Sequence, residues 1–283
     1  MRLRKRRIRR RHQIHITHQP IYLARLPADF ADLCLVQLSD IHHGLYTRLE
    51  VVERAVALTN RLEPDLVALT GDFVSNSPKY IGPVARALGR LRARLGTFAV
   101  LGNHDYRVGA DAMAAALEDH GIEVLRNRLV RLQRNGASLA LAGVDDVGYG
   151  EDNLRLALRG AYADCLTILL CHNPALFPRA VACGVDLVLS GHTHGGQVDL
   201  PRLRSAARAR GLRIPFRFRY GWDRCGETQI YISRGIGTVV VPLRLRCPPE
   251  IPVLRLQAGV QPPDVARDKQ GKPGSAQPNG RAT

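Results

Sequence analysis

A chain of 283 residues with 45% hydrophobic and 5% aromatic content can bury the core of one large α/β domain, which excludes global disorder and leaves that core to Leu, Val, Ala and Ile. Its formal net charge of +16 favours anionic partners without choosing among nucleic acid, phosphorylated metabolites and an anionic lipid surface. Six cysteines with no C-x-x-C pair point to reduced thiols rather than a disulfide scaffold, and no apolar run reaches the roughly 20 residues of a membrane span.

Residues 1–12 read as a disordered basic arm, with eight basic side chains and no acid in residues 1–11. No apolar signal segment follows, because His12, Gln13, His15, His18 and Gln19 interrupt the next stretch. The expectation is a cytoplasmic protein, peripheral at the inner face of the cell membrane if the arm meets anionic lipid. A solvated tail is the alternative. Residues 13–32, with Pro20 and Pro27, read as an extended lead-in.

A buried strand is expected at 33–38, a helix at 50–62 stopped by Pro64, and a second strand at 65–70. The pattern continues with a helix at 84–95 ended by Gly96, a strand at 97–101, and a helix at 110–120 ended by Gly121. Asn135-Gly136 between apolar runs at 129–133 and 138–142 signals a hairpin. A short helix at 154–158, a strand at 165–170, a helix at 174–182 and strands at 186–189, 230–233 and 253–256 complete the series. Residues 258–283 read as a disordered tail, leaving one domain over 13–257. Alternating strands and helices imply an α/β domain with parallel pairing first and antiparallel pairing late.

Five short motifs follow strand ends: Asp40-Ile41-His42, Gly71-Asp72, Gly102-Asn103-His104-Asp105, His172-Asn173-Pro174 and Gly191-His192-Thr193-His194. Ligands bind outside the carboxyl ends of strands in open α/β sheets. Asp40, His42, Asp72, Asn103, His172, His192 and His194 are therefore carried toward one rim. Imidazole and carboxylate donors without thiolate favour Mn, Fe, Zn, Co or Ni over Cu(I) and over pure Mg or Ca sites. Seven such side chains are too many for one ion and suit two ions sharing a carboxylate, the arrangement that stabilises both oxygens of an in-line displacement. A bridging water that has lost a proton is the expected nucleophile. A lone His is more often structural, and a lone Gly-Asp means little; the ordered joint occurrence is what points to a site.

This ordered set resembles the calcineurin-like metallophosphoesterase superfamily over about residues 33–256. Ser39-Asp40-Ile41-His42, the GHTHGGQ run at 191–197, the SRGIGT run at 233–238 and the RCPPEI run at 246–251 are similar to its bacterial YkuE/YaeI-type branch. The resemblance implies an α/β fold of two mixed β-sheets packed as a sandwich with flanking helices. It implies that Asp40, His42 and His194 hold a first metal and that Asn103, His172 and His192 hold a second, with Asp72 bridging. It also implies that His104 stabilises the pentavalent phosphoryl group or protonates the leaving oxygen, and that Asp105 fixes the tautomer and orientation of His104. Two divalent metal ions are the implied cofactors, manganese first among Mn, Fe, Zn and Co.

The reaction expected is hydrolysis of a phosphodiester or phosphoanhydride. Residues 201–219 are arginine-rich with Leu, Ile and Phe interleaved, which suits a substrate joining phosphate to hydrocarbon. A phosphorylated small molecule or lipid is thus the expected partner, and UDP-2,3-diacylglucosamine, cleaved by relatives in this branch, is the named candidate. A nucleotide phosphodiesterase or phosphoprotein phosphatase is the alternative; a basic nucleic-acid-binding protein with an idle site is more distant, since no donor is missing. His43 reads as a rim residue and Cys171 as a small buried one. Asp145 and Asp146 read as turn carboxylates facing the rim, with a substrate or metal-supporting role open.

Overall fold

The computed structural model describes residues 13–161, 165–197, 220–239 and 242–260. In chain order the strands are β1 (His15–Leu23), β2 (Cys34–Leu38), β3 (Leu66–Thr70), β4 (Thr97–Val100), β5 (Glu123–Val124) and β6 (Arg128–Arg134). They continue with β7 (Ala137–Gly143), β8 (Thr167–Leu170), β9 (Leu187–Ser190), β10 (Gly221–Cys225), β11 (Thr228–Ile232) and β12 (Glu250–Ala258). The α-helices are α1 (Leu49–Asn60), α2 (Ile81–Leu88), α3 (Asn103–Glu118), α4 (Leu154–Ala157) and α5 (Phe177–Ala182).

Two six-stranded sheets form, in the orders β1-β12-β2-β3-β4-β5 and β10-β11-β9-β8-β7-β6. Both are mixed. In the first, only the β12–β2 pair is antiparallel. In the second, the outer pairs β10–β11 and β6–β7 are antiparallel around a parallel centre. The central strands are apolar on both faces because both faces are covered. On β2, Leu35 joins the core between the sheets, with Leu66 and Ala68 opposite Leu141, Ile168 and Leu189. The alternate residues Val36 and Leu38 point to the other side, against Val52, Val84 and Met113 of α1, α2 and α3. The second sheet repeats the pattern: Leu169, Val188 and Ile230 pack on Leu154, Phe177 and Ala180 of α4 and α5. The result is four layers, helix–sheet–sheet–helix, with the period of two along each strand deciding which layer a side chain serves.

Residues 13–32 are not merely a lead-in. His15–Leu23 pairs in parallel along all of β12 at the sheet edge. Only Ile21 and Leu23 of this strand are buried, so it lacks the apolar run that marks the central strands, and Pro20 is tolerated where no further strand needs its amide. The helix expected at 84–95 starts at Ile81 and stops at Leu88. Arg94 and Leu95 instead donate their amides to the carbonyls of Pro64 and Asp65, turning the chain back toward the sheet. The helix expected at 110–120 begins at Asn103, with a break at Gly109 (φ 137°). The hairpin at Asn135-Gly136 has φ of 50° and 90° at those two residues, the positive pair that a type I′ turn demands. The basic arm, the arginine-rich run at 201–219 and residues 261–283 of the expected tail lie outside the described residues. Among the described residues no helix is long and apolar enough to cross a membrane.

Candidate metal centre

The motifs leave the carboxyl ends of β2, β3 and β4 in one sheet and of β8 and β9 in the other. Gln37 fixes the two sheets against each other at that end. Its Nε2 donates to Thr70 Oγ1 and to the Ser190 carbonyl, both at 2.9 Å. The loops are then laced together: the Asp40 amide donates to Gly71 O (3.0 Å), His42 to Asp72 O (2.9 Å) and Gly191 to His172 O (3.0 Å). Five motif residues hold left-handed backbone: Asp40 (φ 49°), His42 (47°), Asp72 (57°), His192 (69°) and His194 (51°). Such geometry costs roughly 1 kcal/mol or more per non-glycine residue and persists only where the surroundings enforce it. Gly102 is one enforcing contact, since a Cβ there would fall 2.6 Å from the Asp72 amide nitrogen and closer still to Asp72 Oδ1.

Two donor groups result, and they share one carboxylate. Asp40, His42, Asp72 and His194 present ligand-type atoms within 4.8 Å of one another, and so do Asp72, His172 and His192. In the first group His42 Nε2 faces His194 Nε2 at 3.0 Å, and His194 Nε2 stands 3.3 Å from Asp40 Oδ1. In the second, Asn103 Oδ1 lies 3.2 Å from His172 Nε2 and 3.0 Å from His192 Nδ1. Asp72 Oδ2 is 3.3 Å from both His42 Nε2 and His172 Nε2. All seven residues named from the motifs are thus gathered. The donors fit divalent cations: two imidazole nitrogens pointing at each other share at most one proton, while buried carboxylate oxygens converge on the same space. His172 is oriented from behind, its Nδ1 donating to the Thr70 carbonyl at 2.7 Å, which leaves Nε2 as the donor atom.

Without an ion, the charges compensate one another. Burial tends to raise the Asp72 carboxyl, but the neighbouring His172 and His42 outweigh it and hold Asp72 well below the usual carboxylate range. Burial tends to lower His172, and Asp72 reverses this, raising it to about 10. Burial dominates at His194 and takes it down to about 3. A low-lying imidazole such as His194 has its lone pair free to ligate.

His104 begins the second position of α3, and its amide donates to Asp72 Oδ1 at 2.8 Å. Its ring meets that of His42 edge-on at 4.6 Å. Its Nδ1–H donates a hydrogen bond to the Ser75 carbonyl at 2.7 Å. The partner that sets its tautomer is therefore Ser75 and not Asp105. Asp105 accepts backbone amides instead: Asp72 and Gly102 on Oδ2 at 2.8 and 2.9 Å, Phe73 on Oδ1 at 2.8 Å. It staples the loops after β3 and β4. His43 is buried, with Nδ1 donating to the Thr47 carbonyl at 3.0 Å. Cys171 is buried, its thiol pushed up by burial. Asp145 pairs with Arg126 Nε at 3.2 Å. Asp146 is 1% exposed; its Oδ1 accepts the Tyr149 amide at 3.1 Å. Two supporting residues lie outside every motif: Gln37, the clamp between sheets, whose signal is a lone Gln in an apolar strand, and Arg244, whose guanidinium donates to the carbonyls of Arg234 and Gly237 and so fixes the loop whose Gly237 amide holds Asp40 O at 2.7 Å.

Comparison with known proteins agrees with this arrangement. The profile of the calcineurin-like phosphoesterases matches residues 35–196. A Bos taurus protein named as a transmembrane protein with metallophosphoesterase domain is 36% identical over 260 residues, covering 86% of this chain and 57% of its own length. The metallophosphoesterase YkuE of Bacillus subtilis is 32% identical over 253 residues, 87% of each chain. An Aquifex aeolicus metallophosphoesterase is 34% identical over 234 residues, 80% of this chain and 85% of its own. The chain thus spans little more than half of the bovine relative and most of the two bacterial ones. It belongs to the calcineurin-like phosphoesterase family, and its class is that of a metal-dependent phosphoesterase with a His/Asp cluster suited to divalent metal.

Proposed function

We propose that this chain hydrolyses a phosphodiester or phosphoanhydride at a centre of two divalent cations, manganese first among Mn, Fe, Zn and Co. The observation that carries the reading is Asp72 Oδ2, 3.3 Å from an imidazole of each donor group. Asp40, His42 and His194 would hold one cation and Asn103, His172 and His192 the other, with Asp72 shared. Such a pair, when bound, supplies Lewis acidity and a nucleophile at neutral pH. His104 Nδ1 is committed to Ser75 O, so Nε2 is the atom left for the substrate; it would pass a proton to the leaving oxygen only after the ring takes one up as imidazolium, a form that burial disfavours.

Exposed apolar side chains beside the site support a substrate with a hydrocarbon part. Leu45 and Tyr46 are exposed three and four residues beyond His42. Leu243 and Leu245 are exposed on a loop tied to the metal-site turn by the Leu245 amide, which donates to Gln197 O at 2.8 Å. With the arginine-rich run at 201–219, this suits a lipid-linked phosphate such as UDP-2,3-diacylglucosamine. Residues 1–11 would contact an anionic membrane surface. A panel with Mn²⁺ tests the reading: UDP-diacylglucosamine, cyclic nucleotides, phosphopeptides and nucleic acids. Preferred turnover of the diacyl substrate is expected. Preference for nucleotides or phosphopeptides would move the assignment to those classes. Tight nucleic-acid binding with no turnover under any divalent metal would overturn the hydrolase reading. Deleting residues 1–11 should release the protein from anionic vesicles in co-sedimentation.

A further inference from the structure

Asp146 is the one buried carboxylate with an oxygen that has no hydrogen-bond partner among the described residues. It ends the segment after β7, and its neighbours explain why it cannot be dismissed as a paired turn residue. Asp145, beside it, is matched to Arg126 by two contacts at 3.2 Å. Asp146 has no such cation among the described residues. Its Oδ1 caps the following turn by accepting the Tyr149 amide at 3.1 Å; its Oδ2 has no donor among those residues. Leaving a buried carboxylate oxygen unsatisfied is costly unless a donor or cation arrives with a ligand.

The setting identifies what arrives. The turn that Asp146 caps packs on Asn103, whose Cβ is 4.0 Å from the Cβ position of Gly148. Burial pushes the Asp146 carboxyl up, with His172 acting to lower it and Asp72 to raise it. Both of these residues are donors of the second group. Asp146 is not itself among the atoms clustered within 4.8 Å. Hydrogen bonds from groups beyond the ligating atoms orient ligands and tune cation affinity. The geometry points to Asp146 as a positioning residue for the second cation, its Oδ2 accepting a hydrogen bond from a water ligand of that ion. This inference rests on the two-cation reading above.

Metal stoichiometry and affinity in the full chain, by isothermal titration with Mn²⁺ and elemental analysis after dialysis, test it with Asp146→Asn and Asp146→Ser. Wild type should take up two ions. Both variants should keep one ion at unchanged affinity and lose about 10- to 100-fold in affinity for the other, the one assigned to Asn103, His172 and His192. In chelator, Asp146→Asn should melt no lower than wild type, because it removes an unpaired buried charge; the amide oxygen still caps Tyr149. Two ions bound with unchanged affinities in both variants would overturn the role of Asp146 alone. So would an equal fall in melting temperature with and without Mn²⁺, the mark of a purely structural carboxylate. A wild type that takes up one ion would overturn the two-cation reading and this inference with it.

Discussion

The Asp105 carboxylate receives the Asp72 amide at 2.8 Å, joining the first turn of α3 to the loop that carries the shared carboxylate. The same side chain also takes the amides of Gly102 and Phe73. Position 105 therefore sets where Asp72, Asn103 and His104 stand relative to one another. Asp105→Asn would turn an NH₂ group toward backbone N–H donors. Burial and the nearby Asp72 push Asp105 up to about 7, so the expected cost of about 1–3 kcal/mol comes from the buried amides left unsatisfied. Urea unfolding at unchanged m-value should show it. A loss below about 0.5 kcal/mol, the level of ordinary surface changes, would contradict the staple.

His104 lies outside both donor groups, which separates its chemistry from metal binding. His104→Ala should lower kcat on an aryl phosphodiester by roughly 10²–10⁴-fold, the usual contribution of a positioned proton donor. Bound metal should be unchanged. If metal content fell along with activity, His104 would be acting as a ligand.

Asp72→Asn removes the charge that both groups use. Cation affinity should fall, and kcat should drop by roughly 10³-fold or more, since a metal pair supplies several kcal/mol of charge stabilisation. Elemental analysis beside the rate assay distinguishes lost metal from lost chemistry. Near-wild-type turnover with full metal content would remove Asp72 from the centre.

Two glycines make an opposed pair. At Gly102 an added methyl would meet the Asp72 backbone nitrogen at 2.6 Å, so Gly102→Ala should destabilise the fold and abolish turnover. At Gly82, within α2, an added methyl meets nothing within 4 Å. Gly82→Ala should change stability by less than about 0.5 kcal/mol, since helix propensity favours it while the Pro83 ring that follows opposes a Cβ there, and should leave turnover intact. Thermal melts and rates on both variants check the contrast.

Much of this was legible because the central strands are covered on both faces. Apolar runs at β2 (interrupted only by Gln37), β3, β4, β8 and β9 mark themselves, and each is followed closely by its metal-type motif. The hairpin was equally plain, since Asn135-Gly136 states its turn type. The edges were not legible: β1 buries only Ile21 and Leu23, and β5 has two residues, so neither carries a period. Helix α3 was placed late because Gly109 interrupts its pattern, hiding that Asn103 and His104 form its first turn. The role of Asp105 turned on three-dimensional neighbours: the family resemblance implied His104 as its partner, while the structure gives it the amides of Asp72, Phe73 and Gly102.

If Asp72 joins two cations, anomalous scattering from crystals equilibrated with Mn²⁺ should show two peaks roughly 3.5–4 Å apart, one among Asp40, His42 and His194, the other among Asn103, His172 and His192, with Asp72 touching both. A single peak at saturating Mn²⁺, or two peaks of which Asp72 contacts only one, would contradict it.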